Sequence, residues 1–377
     1  MQHLVKLVRD TYYSHVEELT DTVHLFKIIF KDIPEDQLRQ ILGISAKEPV
    51  PGPEPAKEPA PEPAKEPAPE PAKEPAIIAP ENIIASLRKR ELTGDQRSVE
   101  WLLQRVNYIT ASVSAACAGL MGAASREAQL LEKASYGKYR TFTGGYHTDM
   151  GNIFEDITAN HYSRLNNTHV HDFRLIPHDN PEFAFLGAST DGVSDQLNNI
   201  EIKTLAGRAL DSKIKKEYYH QMQHQMSCLG LHQTHFLEAK YETFPTLRDA
   251  ARGISKFPYG VVLEFYSSQN GFKYLYSPDV LTDKEILAWE SETVHLTEPG
   301  VYIRTIYWRM SGYQMKVVKR DPSWLLEMGP QLKKFWKELQ ALRANPKMVE
   351  DMIRARETKK ESKRSIKPGP DASTLLL

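Results

Sequence analysis

Residues 46–76 set the outer limits on how this chain folds. The unit Glu-Pro-Ala-Lys-Glu-Pro-Ala-Pro begins at Glu54 and at Glu62, and again in truncated form at Glu70. Proline at every second or fourth place removes the N–H groups that helices and sheet ladders need. The composition predicts an extended, polyproline-like spacer. It divides the chain into a short leading part, residues 1–45, and a long part that starts near Ile77.

The most informative stretch of the long part is Phe185-Leu-Gly-Ala-Ser-Thr-Asp-Gly-Val193, a polar loop, and Ile200-Glu-Ile-Lys203. Two apolar runs flank breakers such as Gly192, Asp195, Asn198 and Asn199, which predicts a β-hairpin. Strand side chains alternate faces, so Glu201 and Lys203 share one face while Ile200 and Ile202 share the other. Asp191 and Glu201 then meet at one end of the hairpin, with Lys203 beside them. Two carboxylates and an ammonium in that setting can hold a hard divalent cation and position a water, which is the outline of a phosphodiester-cleaving site. Taken singly, Asp191 is equally a turn residue, and Glu201 with Lys203 a cross-strand charge pair.

Composition narrows the classes. The chain has 377 residues, 41% of them hydrophobic, enough for a sizeable core. The formal net charge is -1, so any nucleic-acid surface depends on segregated rather than total charge. Two cysteines, Cys117 and Cys228, exclude a disulfide framework and a four-cysteine metal or iron–sulfur site, and fit a reducing compartment. No apolar run has the length of a membrane span and the first residues lack a signal-peptide core. The expectation is a soluble, intracellular protein with no membrane partner.

In chain order, residues 1–45 read as a small helical docking module. From Ile77, helices are predicted near 83–92, 95–106, 115–120 and 152–165, and strands near 175–176, 183–188 and 200–203. A helix over 216–229, a strand over 235–239, a hairpin over 261–276, strand material over 301–318 and a helix over 324–342 follow. Helices alternating with strands predict an α/β domain over 77–345 with a mixed central sheet. Residues 346–377 are basic and polar and read as a disordered tail, a nucleic-acid contact or a plain solvated end.

Two further clusters carry candidate chemistry. Arg105 precedes a turn and then Thr110 and Ser112 at a helix start, a plausible phosphate cradle of guanidinium, hydroxyls and N–H groups. The alternative is that the two hydroxyls only cap the helix. His220, His224 and Cys228 fall on one helix face and could bind zinc, but an ordinary packed helix face explains the same spacing.

Five elements in order resemble the PD-(D/E)XK nucleases, and among them the phage lambda exonuclease and YqaJ type that includes viral alkaline exonucleases. These are Trp101 to Ser112, Gly151 with Glu155, Gly187 to Gly192, Glu201-Ile202-Lys203, and Tyr218 to Met226; together they span roughly residues 95–240. Asp321-Pro-Ser-Trp324 with Phe335-Trp336 resembles the usual C-terminal ending. One position departs: Thr190 stands where the family has proline.

The resemblance implies a restriction-endonuclease-like core. It implies Mg²⁺, with Mn²⁺ as a substitute, held by Asp191, Glu201 and the Ile202 carbonyl, and Glu155 helping with a second ion. It casts Lys203 as the residue that orients or deprotonates water or neutralises the phosphate. Gln223 hydrogen-bonds near the nucleophile, with Gln221 and Gln225 as alternatives. Arg105 binds a terminal 5′-phosphate and Ser112 contacts a phosphate. The implied activity is 5′-to-3′ digestion of double-stranded DNA ends, yielding single strands for recombination or genome processing. The implied partners are duplex DNA, a single-strand annealing protein and two further copies in a homotrimer. The spacer and tail suit a large DNA virus, hence the nucleus or cytoplasm of a host cell. Alternatives are a structure-specific endonuclease of the same fold and a non-cutting module that binds DNA ends.

Overall fold

The computed structural model describes residues 79–365 except 95–100, 102–103, 140–144, 206–208, 211–212, 253–256, 268–270, 279–281 and 299. The expected helical module and the proline spacer lie outside the described residues, as does the end of the tail.

The chain alternates strands and helices as the pattern requires. Helix α1 is Pro80–Arg90, strand β1 Ile109–Thr110, helix α2 Ser114–Cys117, α3 Ala123–Ala134 and α4 Tyr146–Asn166. Short strands β2 Val170–His171, β3 Ile176–Pro177, β4 Leu186–Ala188 and β5 Gly192–Ser194 lead into β6, Asn199–Leu205. Then follow α5 Lys216–Leu229, β7 Gln233–Phe244, α6 Leu247–Ala251, β8 Tyr259–Ser267, β9 Gly271–Tyr276, α7 Asp283–Thr293, β10 Val301–Lys319, α8 Trp324–Arg343 and α9 Pro346–Ser365.

The main sheet has seven strands in the order β2-β5-β6-β7-β10-β8-β9, and β1-β4-β3 form a second, three-stranded sheet. β5 and β6 form an antiparallel hairpin, with Gly192 opposite Ile200, but the first run of the expected hairpin is split: Leu186–Ala188 joins the second sheet as β4 and only Gly192–Ser194 pairs with β6. β6 and β7 are parallel. A parallel pair needs a crossover, and α5 supplies it.

The alternation of β6 decides which helix covers which face. Ile200 and Ile202, with Leu237 of β7, pack under Tyr162 of α4. Farther along the same face Ile153, Phe154 and Ile157 of α4 meet Ala239, Tyr241 and Trp308. On the opposite face Met222 and Met226 of α5 lie on Phe236 and Val318. The mixed sheet is thus flanked by helices, and Glu201 and Lys203 are left on the α5 side. A separate core joins α3 and α8 beneath β1 and β4 through Leu131, Ile109, Leu186, Leu332 and Phe335.

Several elements differ from the sequence expectation. The basic segment from residue 346, expected to be disordered, is helical over Pro346–Ser365. Val349 is buried, Met352 and Ile353 pack on the α3–α8 core, and Arg356 donates to Glu127 at 2.7 Å. The apolar side of this helix outweighs its charge-rich outer side. Helices α3, α6 and α7 and the short strands β1 and β2 were not expected. α7 begins with a capping box, Thr282 and Glu285 each accepting from the other's backbone N–H, a pattern present in the sequence.

Candidate active site

The site is assembled at the mouth of the β5–β6 hairpin. Gly192 opens the turn at φ +153°, and a Cβ there would lie 2.2 Å from Val170 Cγ1. Only glycine fits that combination of backbone and space. Beside it the buried Thr190 hydroxyl lies 2.8 Å from the Gly192 carbonyl, 2.6 Å from Asn199 Oδ1 and 3.1 Å from the Ile200 carbonyl. The Gly192 N–H in turn donates to that hydroxyl at 3.2 Å. A hydroxyl thus stitches this turn, and Asp191 is held between two fixed neighbours.

Asp191 Oδ2 accepts from the Ile202 N–H at 2.7 Å, which brings its carboxylate across to β6. Its pKa is raised well above the carboxylate range, first by burial and then by the charges of Glu201 and Glu155; Lys203 and the Ile202 N–H oppose the shift. Glu155 therefore belongs to the acid group, half-buried on α4, whereas its neighbour Asp156 is exposed.

Glu201 is completely buried. Its Oε1 accepts from Lys203 Nζ and, at 2.8 Å, from Gln221 Nε2, and its Oε2 accepts from Gln225 Nε2 at 2.6 Å. Burying a carboxylate is tolerable only when it is paired and hydrogen-bonded, and Glu201 has three donors. Asn199 Nδ2 donates to Gln225 Oε1 at 3.1 Å, which fixes the amide so that its NH₂ faces Glu201. Lys203 lies over the Tyr218 ring at 5.1 Å. Burial pulls its pKa down, but Glu201 and Asp191 outweigh burial and hold it above the ordinary lysine value. Lys203 is thus kept as an ammonium.

Gln223 does not join this group. It is buried on the other side of α5, where Nε2 donates to the Lys319 carbonyl and Oε1 accepts from the Asp321 N–H, both at 2.8 Å. Gln221 and Gln225, one helical turn apart, take the place expected of it. Thr190, Asn199 and Tyr218 were missed as well. Asn199 had a visible signal: it stands two residues before Glu201 and so shares its face.

Arg105 and Ser112 come together, with Nη2 donating to Oγ at 3.3 Å, and the guanidinium stacks over Trp101 at 4.1 Å. β1 pairs in parallel with β4, Thr110 opposite Gly187. That pairing sets the Arg105–Ser112 segment beside the strand leading to Asp191. Ser112 is exposed, and Ser114, not Ser112, donates within the turn, to the Ala111 carbonyl at 2.9 Å.

The zinc alternative dissolves into packing. His220 Nδ1 accepts from the Trp324 indole at 3.0 Å, and Cys228 is fully buried. Burial pushes the pKa of His224 down to about 3. Among the described residues no trio of His, Cys, Asp or Glu is grouped tightly enough to cage a metal unaided. For Mg²⁺ the donor chemistry nevertheless fits. Asp191, Glu201 and Glu155 are crowded hard-oxygen acids, and Mg²⁺ is characteristically held by one or two carboxylates with water and substrate phosphate completing its shell.

A mixed sheet between helices, with two acids and a lysine about a hairpin and a third acid on the preceding helix, is the arrangement that the resemblance to PD-(D/E)XK nucleases implies. Residues 100–232 match the family model of the YqaJ-like viral recombinase domain. A curated relative, an uncharacterised protein of Acanthamoeba polyphaga mimivirus, is 26% identical over 314 residues. That alignment takes in 71% of this chain, which spans only 56% of the relative's length. Similar solved structures include an alkaline exonuclease from Laribacter hongkongensis (20% identity, TM-score 0.40, covering 69% of this chain and 98% of that one). Another is a phage-related exonuclease from Haemophilus somnus (14% identity, TM-score 0.36, 65% and 96%). Among the described residues no helix is long and apolar enough to cross a membrane.

Proposed function

We propose that this protein is a metal-dependent exonuclease that digests double-stranded DNA from its ends, 5′ to 3′. The observation that carries the reading is the buried Glu201, held by Lys203, Gln221 and Gln225 beside a carboxyl of raised pKa, Asp191. So much organised charge is costly to bury, and its purpose is chemistry rather than stability.

In this reading Asp191, Glu201 and the Ile202 carbonyl hold Mg²⁺, and Glu155 supports a second ion. The bound metal supplies a polarised phosphate and a water of lowered pKa. Lys203, kept protonated, holds that water in line and offsets charge gathering on the phosphate. Gln221 and Gln225 fix the Glu201 carboxylate so that neither rotation nor reorganisation is needed during reaction. Arg105 and Ser112 grip the terminal 5′-phosphate and so set the polarity. A homotrimer around the duplex and a single-strand annealing partner belong to the same reading and rest on the family resemblance.

The test is product analysis. Duplex labelled internally and at one 5′ end, incubated with Mg²⁺, releases the end label first and as mononucleotide. Internal nicking with the end label retained on long fragments would replace the exonuclease by an endonuclease of the same fold.

A further inference from the structure

Behind the Arg105–Ser112 pair lies a cation that the chemistry above does not use. Lys133 of α3 is 5% exposed. Its ammonium donates to the Arg105 carbonyl at 3.1 Å and the Tyr108 carbonyl at 2.6 Å. Arg343, the last residue of α8, donates to the Val106 carbonyl at 2.7 Å and the Lys133 carbonyl at 3.0 Å. Its guanidinium rests over the Tyr136 ring at 4.5 Å. The carbonyls of residues 105, 106 and 108 are thus all taken by two cations from two helices, while the Arg105 side chain reaches Ser112. Among the described residues no carboxylate pairs with Lys133 or Arg343.

Three cations around one turn, two of them hydrogen-bonded to carbonyls and, among the described residues, with no carboxylate in direct contact, is a costly arrangement for a protein with no anion to place there. Neutral side chains could bridge the same carbonyls at lower cost. We propose that Lys133 and Arg343 are positioning residues for the phosphate anchor: they clamp the 105–108 turn in the form that brings Arg105 to Ser112, they add buried positive charge behind the anion, and they thereby set how strongly the protein prefers a phosphorylated DNA end to a hydroxyl one. This rests on the reading of Arg105 and Ser112 as the end-phosphate anchor.

The surroundings of Lys133 add a pH signature. Burial lowers its pKa to about 8; Arg105 and Arg343 also lower it, while Cys117 and Glu132 act in the other direction. Cys117 is held neutral by burial, its own pKa raised to about 12. The clamp therefore carries its full charge at neutral pH and loses part of it in mild alkali.

The experiment measures kcat/KM on otherwise identical 5′-phosphorylated and 5′-hydroxyl duplexes for the full chain, Arg105→Ala, Lys133→Met and Arg343→Gln. Taking the ratio of the two ends cancels any general loss of folded enzyme. The expected ratio falls about tenfold in Lys133→Met, the scale of one charge acting through a partly buried site, and falls in the same direction in Arg343→Gln. In the wild type the ratio also declines between about pH 7 and about pH 9.5, where a lysine of lowered pKa discharges, and in Lys133→Met it stays flat. If Arg105→Ala abolishes the preference while Lys133→Met and Arg343→Gln keep it, the clamp is overturned and the anchor stands. If the wild type shows no preference, anchor and clamp both fall. Should Lys133→Met not fold, a pH-independent wild-type ratio together with an unchanged Arg343→Gln ratio overturns the proposal.

Discussion

Replacing Gln221 and Gln223 in turn separates the catalytic face of α5 from its structural face. Gln221→Ala removes a 2.8 Å bond to the Glu201 carboxylate. A hydrogen bond to a charged group contributes roughly 1.5–3 kcal/mol. If that bond holds Glu201 for reaction, kcat falls roughly 10- to 150-fold, while the stability loss stays at about 1 kcal/mol because Lys203 still donates to the same oxygen. Gln223→Ala breaks two 2.8 Å bonds that tie the end of β10 to the lead-in of α8, at a site 1% exposed. Both bonds are only part-buried, so each contributes a net of about 0.5–1.5 kcal/mol and a loss of about 1–3 kcal/mol of stability is expected. The rate per folded molecule should hold to within about twofold, well under the cost of one lost hydrogen bond. The assay pairs initial rates on saturating duplex with urea denaturation of the same preparations. A fully folded Gln223→Ala with a collapsed rate, beside an active Gln221→Ala, would refute the assignment.

Three other outcomes follow from the hairpin. Thr190→Val strands acceptors at Asn199 and Ile200 and should cost about 1–3 kcal/mol by urea denaturation; Thr190→Ser, which keeps the hydroxyl, should cost much less. Gly192→Ala drives a methyl into Val170 and should destabilise by more than about 2 kcal/mol. Adding Val170→Ala should recover part of that loss, the remainder being backbone strain. For pH, the raised pKa of Asp191 means the folded protein holds a proton that the unfolded chain releases in the ordinary carboxylate range. The contribution of Asp191 is therefore full at low pH and is lost as pH rises from the unfolded pKa through the folded one. Chelator-treated protein should accordingly lose melting temperature as pH climbs through and above the carboxylate range. Mg²⁺ should oppose the loss, and activity should rise toward alkaline pH. A melting temperature that rises over that interval would contradict the crowding of acids around Asp191.

What could be read from the chain depended on how each residue's position is encoded. Period-two alternation is local, so Glu201 and Lys203 were placed on one face before any tertiary contact was known. The mixed central sheet was legible from the alternation of helical and strand patterns along the chain. The helix glutamines were not. In Tyr-Tyr-His-Gln-Met-Gln-His-Gln, glutamine recurs every second residue, and the helical phase is chosen only when Met222 and Met226 settle on Phe236 and Val318. Glu155 against Asp156 was decided in the same way, by Ile153, Phe154 and Ile157 taking the sheet. The roles of Thr190 and Asn199 depend on a turn closing around them, which no spacing announces. The helix from Pro346 was hidden by its charge: three apolar residues, Val349, Met352 and Ile353, were enough to dock it once α3 and α8 offered a surface.

The central claim is that Asp191, Glu201 and Lys203 form a metal-dependent phosphodiester-cleaving site. The most direct measurement is the loss of label from end-labelled duplex DNA with Mg²⁺ and with EDTA, for the wild type, Glu201→Gln and Lys203→Ala. Glu201→Gln keeps the shape but removes the charge and sets its own NH₂ against one of the donors that Glu201 accepts from. The wild type should release label only with Mg²⁺, and both variants should be slower by at least about a hundredfold, the scale of losing one electrostatic contributor to catalysis. Release of label that persists in EDTA, or a wild-type rate in Glu201→Gln, would contradict the account.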